Sequence, residues 1–180
     1  QYMTPPELAA DIVHAAYMSG DIEGRKVLDL GTGTGMLGIA AALAGGDVTA
    51  VDVDSEALEI AQQNAENLGV EDSISFVEGD VSKVEGEFDT VVMNPPFSVH
   101  SDEGMKFLEA AVSHCTKLYS VIYGGSKQSI KDFVRNSNHR LIDWEDYSIR
   151  LPATYGFHTE ESRETDVGVL VTVEKTGKGE

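Results

Sequence analysis

The 180 residues include one cysteine, five prolines and only 13 lysines and arginines. A lone Cys115 excludes an internal disulfide and any zinc site built on cysteines, and no metal ligand set is read from the chain. That cysteine usage suits a reduced, cytoplasmic setting. No run approaches the roughly 18 apolar residues of a membrane span, so no membrane association is expected. No secretory signal pattern opens the chain. It begins at Gln1 rather than Met, so a few preceding residues are expected. Low-complexity segments are absent, which argues against disorder. No repeat recurs at a period of 20–50 residues, and no linker divides the chain, so one domain over 1–180 is expected.

Positive charge is the scarcest property. Asp and Glu number 31, and the formal net charge is -18. Residues 1–99 hold 18 acids and 3 bases, residues 100–150 hold 7 of each, and residues 151–180 hold 6 and 3. These totals exclude an overall basic nucleic-acid-binding surface. An acidic surface poor in lysine suits a halophilic protein kept soluble in concentrated salt. At about 1 M salt the Debye length is only about 3 Å, and such a surface repels a polyanion weakly. An ordinary acidic cytosolic protein is the plainer alternative.

Hydrophobic patterning alternates strand and helix. Strands are expected at Lys26–Leu30, 48–53, 73–77, Phe88–Met93 and 118–123. Helices are expected over 5–18, 35–43, 54–68, 104–116 and 126–136, with Thr4 as a candidate cap of the first. Asp54 is placed to cap the third helix and Gly69 to close it. Residues 141–150 and 166–175 read as an antiparallel pair joined by a polar loop of about 15 residues. The reading is an α/β fold, doubly wound, with a mainly parallel seven-stranded sheet and an antiparallel C-terminal hairpin. Ligands of such sheets bind beyond the carboxyl ends of the strands, at the switch point.

Four strand ends carry candidate chemistry. After the first comes Asp29-Leu30-Gly31-Thr32-Gly33-Thr34-Gly35. Closely spaced glycines let the backbone turn sharply and approach a ligand. A dinucleotide fingerprint needs a third glycine at position 36, which is Met36. The spacing matches instead the Asp-x-Gly-x-Gly-x-Gly of class I S-adenosylmethionine-dependent methyltransferases, against the alternative of a ligand-free turn. After the second strand, Asp52 and Val53 stand where an acid can take both ribose hydroxyls. Asp54 is the better helix cap of the two acids. After the third, Asp80 can accept from an adenine amine while the Val81 backbone serves a ring nitrogen. A plain turn aspartate is its alternative. After the fourth comes Asn94-Pro95-Pro96-Phe97. The Asn94 amide and the Pro95 carbonyl are acceptors matched to an NH2 group, and Phe97 offers a ring for stacking. A Pro-Pro turn ending a strand is the bland reading.

Together these residues resemble the Asn-Pro-Pro-Phe/Tyr branch of class I, Rossmann-like methyltransferases. Gln1, Tyr2 and Thr4, the segment Leu28 to Gly35, Asp52 to Asp54, Asp80 and Val81, Met93 to Phe97, and Leu151-Pro152-Ala153-Thr154-Tyr155-Gly156-Phe157-His158 resemble more closely the methyltransferase-like protein 5 family. An archaeal member is the form suggested. The resemblance implies methylation of adenine N6 at one small-subunit ribosomal RNA position, with S-adenosylmethionine converted to S-adenosylhomocysteine. It implies that Gln1 and Thr4 close over the cofactor. Asp29, Gly31, Gly33, Thr34 and Gly35 are then cofactor-loop residues, with the methionine part against Gly31, Gly33 and Thr34. Asp52 with Val53 takes the ribose, and Asp80 with Val81 the adenine. Asn94, which is also placed beside the cofactor, holds the target base with Pro95, Pro96 and Phe97.

The resemblance further implies a heterodimer with a small zinc-binding activator subunit, expected to add a strand at the sheet edge near 73–77. No residue in the sequence marks that surface. The family carries lysines after its Phe-His pair, where this chain has Thr159-Glu160-Glu161. His158, Arg163, Lys127, Lys131, Arg135 and Arg140 remain candidates for RNA contact, and His100 and Lys106 for ordering a substrate loop. Direct methyl transfer to a flipped base needs no general base beforehand, so no catalytic histidine is expected. Transfer to a protein glutamine or to guanine N2, or a non-catalytic role in ribosome assembly, are the alternatives.

Overall fold

The structure is a computed structural model that describes residues 3–95, 101–123, 127–151 and 163–176. Seven strands form one sheet in the order β3-β2-β1-β4-β5-β7-β6. The strands are β1 (Lys26–Leu30), β2 (Asp47–Asp52), β3 (Ile74–Glu78), β4 (Phe88–Met93), β5 (Cys115–Tyr123), β6 (His139–Leu151) and β7 (Arg163–Glu174). The first five run parallel, and β7 lies antiparallel between β5 and β6. The strand order reverses at β1, between β2 and β4, and that reversal is the switch point.

Five helices cover the two faces: α1 (Pro6–Met18), α2 (Met36–Leu43), α3 (Ser55–Leu68), α4 (Asp102–His114) and α5 (Lys127–Asn136). Alternation along β1 explains the layering. Val27 packs with α1 and α2, whereas Leu28 and Leu30 pack with α4 and α5. All three side chains are fully buried, as a strand covered on both faces requires.

Local chemistry sets the helix ends. The Asp54 carboxylate accepts from the Glu56 and Ala57 amides, and Gly69 closes α3 in the left-handed region. Ser101 caps α4 by accepting from the Gly104 amide, so that helix starts two residues earlier than the sequence reading placed it. Thr4 is not a helix cap. Pro5 occupies the cap position of α1, and no side chain bonds there.

The C-terminal hairpin is longer than the pattern suggests. Its ladder continues to Leu151 opposite Arg163, leaving 152–162 as the connection, outside the described residues. A bulge falls between Leu141 and Asp143, where the extra residue Ile142 is 45% exposed. The bulge resets the alternation so that Trp144 reaches the apolar layer beneath α5. His139 fastens the hairpin to β5. Its Nδ1 bonds Thr172 Oγ1 (2.8 Å) and its Nε2 the Cys115 carbonyl (2.9 Å). Burial lowers its pKa and raises the Cys115 thiol to about 12.

Trp144 is the only tryptophan. Its indole N–H donates to Asp146 (2.6 Å), and Lys127 sits 5.1 Å over the ring. The ring crosses Gly168, where a Cβ would overlap Cζ2. Gly168→Ala is therefore expected to lower stability by about 1–3 kcal/mol through overpacking. Urea unfolding followed by tryptophan fluorescence checks this, and an unchanged midpoint would contradict it.

Candidate functional site

Strand register brings the chemistry to one edge. Leu30 lies level with Val51 on one side and Met93 on the other, and Asp52 lies level with Glu78. The segments that step off β1, β2, β3 and β4 therefore leave the sheet together.

The loop after β1 is held by buried carboxylates. Gly31, Gly33 and Gly35 have φ values of 68, 56 and 90 degrees. At Gly31 a Cβ would also stand 2.7 Å from the Phe107 ring, so glycine is required there twice over. The Gly31 and Thr32 amides donate to the Val51 carbonyl (2.8 and 3.0 Å). Asp52 is buried, and its two oxygens accept from the Gly33 amide (2.8 Å) and the Asp54 amide (3.0 Å). Asp29 Oδ2 accepts from Thr32 Oγ1 and from the Gly38 amide, each at 2.7 Å. Thr34 is tied through its carbonyl to Asn64 Nδ2 (3.0 Å).

A cavity of about 180 Å³ opens above this loop. Of the residues assigned to the cofactor, Asp29, Gly31, Gly33, Thr34, Thr4 and Asn94 line it and Gly35 does not; Asp54, assigned only as a cap, lines it too. Met36 and Leu37 add an apolar wall that the sequence reading missed. Met36 had signalled only the broken dinucleotide fingerprint. Asp52 anchors the loop from beneath, and Val53 beside it is 65% exposed. Asp80 lies at the surface outside this cavity. Its Oδ1 accepts from the Ser82 amide (2.8 Å) and Oγ (2.6 Å), which hold its pKa below the usual range. That is a turn-capping role, and Val81 is buried beneath α4.

Asn94 follows β4 and is 6% exposed. Its Nδ2 donates to Thr4 Oγ1 (2.8 Å), ninety positions earlier. Its Oδ1 is buried with no hydrogen-bond partner among the described residues. Pro95 is buried next to it. Gln1, Pro96, Phe97, His100 and His158 lie outside the described residues, as does the side chain of Arg163.

Against known proteins, residues 12–121 match the methyltransferase small domain family model. The rRNA N6-adenosine-methyltransferase METTL5 of Danio rerio is 34% identical, over 94% of this chain and 86% of its own. The chain belongs to the METTL5 family. It is a methyltransferase, and S-adenosylmethionine is the cofactor of its family. A solved Pyrococcus horikoshii protein, provisionally assigned as an RNA methyltransferase, superposes with a TM-score of 0.87. It shares 30% identity, over 97% of this chain and 86% of that one. Magnesium protoporphyrin IX methyltransferase of Synechocystis, solved with S-adenosylmethionine, shares the fold at a TM-score of 0.76 and 19% identity, over 94% and 79% of the two chains.

The donor set fits that cofactor. S-adenosylmethionine carries an ammonium and a sulfonium, and the cavity floor is anionic and partly apolar. Burial, reinforced by the Asp52 charge, pushes the Asp29 carboxyl up to about 6, despite the bonds from Thr32 and Gly38. The folded value lies above the ordinary 3.8, so the folded chain holds an extra proton between about pH 4 and pH 6. Stability through this group is therefore greatest below pH 4 and falls as pH rises through that window, by about 3 kcal/mol. Asp29→Asn removes this dependence. Urea titrations of both proteins from pH 4 to pH 7 should show wild type losing stability relative to the variant, and a constant difference would contradict it.

Proposed function

We propose that this chain methylates N6 of an adenosine in small-subunit ribosomal RNA, using S-adenosylmethionine. The observation that carries the reading is the unpartnered, buried Oδ1 of Asn94 beside the cavity. A buried acceptor without a donor costs about 1–3 kcal/mol, so a site that retains one calls for a ligand that donates. An exocyclic amine is such a ligand. Similarity to METTL5 over most of the chain supports adenosine in ribosomal RNA as the one used here.

The cofactor supplies an electrophilic methyl group. This chain's residues bind and orient. Asp29, Gly31, Gly33, Thr34 and Gly35 hold the methionine end, with Gln1 and Thr4 closing over it. Asp52 and Val53 serve the ribose, and Asp80 and Val81 the adenine. Asn94 Oδ1 accepts from the target amine, together with the Pro95 carbonyl, and so favours a pyramidal, more nucleophilic nitrogen. Phe97 replaces the stacking that a flipped base loses. The methylated amine is acidic and sheds its proton after transfer, so no general base acts first.

In this reading the whole of 1–180 is one catalytic domain, working in the cytoplasm of a salt-adapted cell. A small zinc-binding activator subunit completes a heterodimer. β3 ends the sheet and Val77 on it is 44% exposed, which supports strand addition there. No helix among the described residues is long and apolar enough to cross a membrane.

Nucleoside mass spectrometry of small-subunit ribosomal RNA tests the reading, in source cells lacking the gene and complemented with wild type or Asn94→Ala. N6-methyladenosine should vanish and return only with wild type. Purified Asn94→Ala should bind S-adenosylmethionine nearly as wild type does, with transfer reduced by at least about 10²-fold. Unchanged N6-methyladenosine would reject the substrate and turn the search to glutamine and guanine products.

A further inference from the structure

We propose that Thr4 is a positioning residue for Asn94: its hydroxyl fixes which end of the amide faces the substrate. This deepens the reading of the site as one that methylates an amine, and rests on it. The two ends of an asparagine amide are nearly identical in shape but opposite in chemistry. With Oδ1 toward the substrate, an amine N–H finds an acceptor. With the amide turned over, it meets another N–H.

The contact at Thr4 decides between these states. Thr4 Oγ1 accepts from Asn94 Nδ2 at 2.8 Å, and both side chains are 6% exposed. A hydroxyl has one hydrogen. Thr4 also lines the cofactor cavity, so that hydrogen can go to an acceptor bound there. Once it is given away, Thr4 can only accept from the amide, and the turned-over state has no partner. An acceptor in the cavity, such as the carboxylate of the cofactor's amino-acid end, thus biases Asn94 toward presenting Oδ1.

The fold keeps Thr4 in place for this. The Pro5 carbonyl takes the Ala9 amide (3.0 Å), and Leu8, Ala9 and Ile12 are buried under the sheet. The start of α1 is thereby anchored while Thr4 reaches across to the end of β4. The candidate cap of the sequence reading is instead a side chain aimed at Asn94.

Thr4→Val keeps the shape and removes the acceptor; Thr4→Ala removes it with less bulk; Thr4→Ser retains it. At saturating S-adenosylmethionine, single-turnover methylation of the ribosomal RNA should fall about 10–100-fold in Thr4→Val and Thr4→Ala, and stay within about threefold in Thr4→Ser. A second readout needs no turnover. In full-chain protein bound to S-adenosylhomocysteine, one Asn94 side-chain amide proton should exchange slowly in wild type and Thr4→Ser, and quickly in the other two. A loss in Thr4→Val that saturating cofactor abolishes would reduce Thr4 to a cofactor contact and overturn the proposal. So would unchanged Asn94 proton exchange. If wild type methylates no adenosine yet the exchange pattern holds, the substrate falls and the positioning stands.

Discussion

Two buried carboxylates determine whether the site exists at all. Asp29, next to the last residue of β1, accepts from the Thr32 hydroxyl in the loop before α2 and from the Gly38 amide in α2, and Asp52, the last residue of β2, accepts from the Gly33 amide in that loop. Three residues of that loop have positive φ, a conformation without a regular ladder of its own. The carboxylates stand in for that ladder. Because Asp52 also receives the Asp54 amide, the loop after β1 and the start of α3 share one anchor. The cavity wall and the starts of α2 and α3 therefore depend on the same few hydrogen bonds.

The placement of charge separates solubility from recognition. Most of the 31 acids are solvated, and concentrated salt screens them within about 3 Å at 1 M. Asp29 and Asp52 are 1% and 5% exposed, so salt reaches them far less. An anionic floor for a cationic cofactor thus persists where the surface charge is muted. The same argument reconciles the proposed RNA substrate and the proposed salt-adapted setting with a net charge of -18. Phosphate contacts weaken steeply with salt, which leaves shape and base contacts to carry more of the recognition.

The sheet was legible in the sequence because its central strands β1, β2, β4 and β5 are short, mostly buried apolar runs. β1 and β4 fall at the residues the pattern gives. Asp54 and Gly69 bracket α3 because capping chemistry is local. The hairpin was less legible. The bulge at Ile142 interrupts its alternation, and the residues by which β7 precedes 166 (Arg163, Glu164 and Thr165) are polar. Buried His139 gave no signal, since its partners lie 24 and 33 positions away. Within the site, the glycine spacing and Asn94 were readable as motifs. The division of labour between the acids was not. Asp52, read as a ribose ligand, also receives the Gly33 and Asp54 amides, and Asp80, read as an adenine ligand, also receives the Ser82 amide. Motif spacing says where a carboxylate emerges but not which amides reach it first.

Thr4 illustrates the same limit from the other side. A threonine before two prolines is a local cap signal, and local reasoning ends there. The contact with Asn94 spans ninety positions and arises only because α1 packs beside the reversal of strand order. That placement links two parts of the site that the motifs treat separately. Thr4, at the cavity, bears on the amide that the proposed reaction brings to the substrate. A buried Oδ1 without a donor among the described residues costs stability, and in the proposed reaction the substrate amine would remove that cost. A hydroxyl-bearing substrate brings one donor and an oxygen, whereas an amino group brings two donors to two acceptors, Asn94 Oδ1 and the Pro95 carbonyl. Preference for an amine over an alcohol thus follows from the number of donors the site can use.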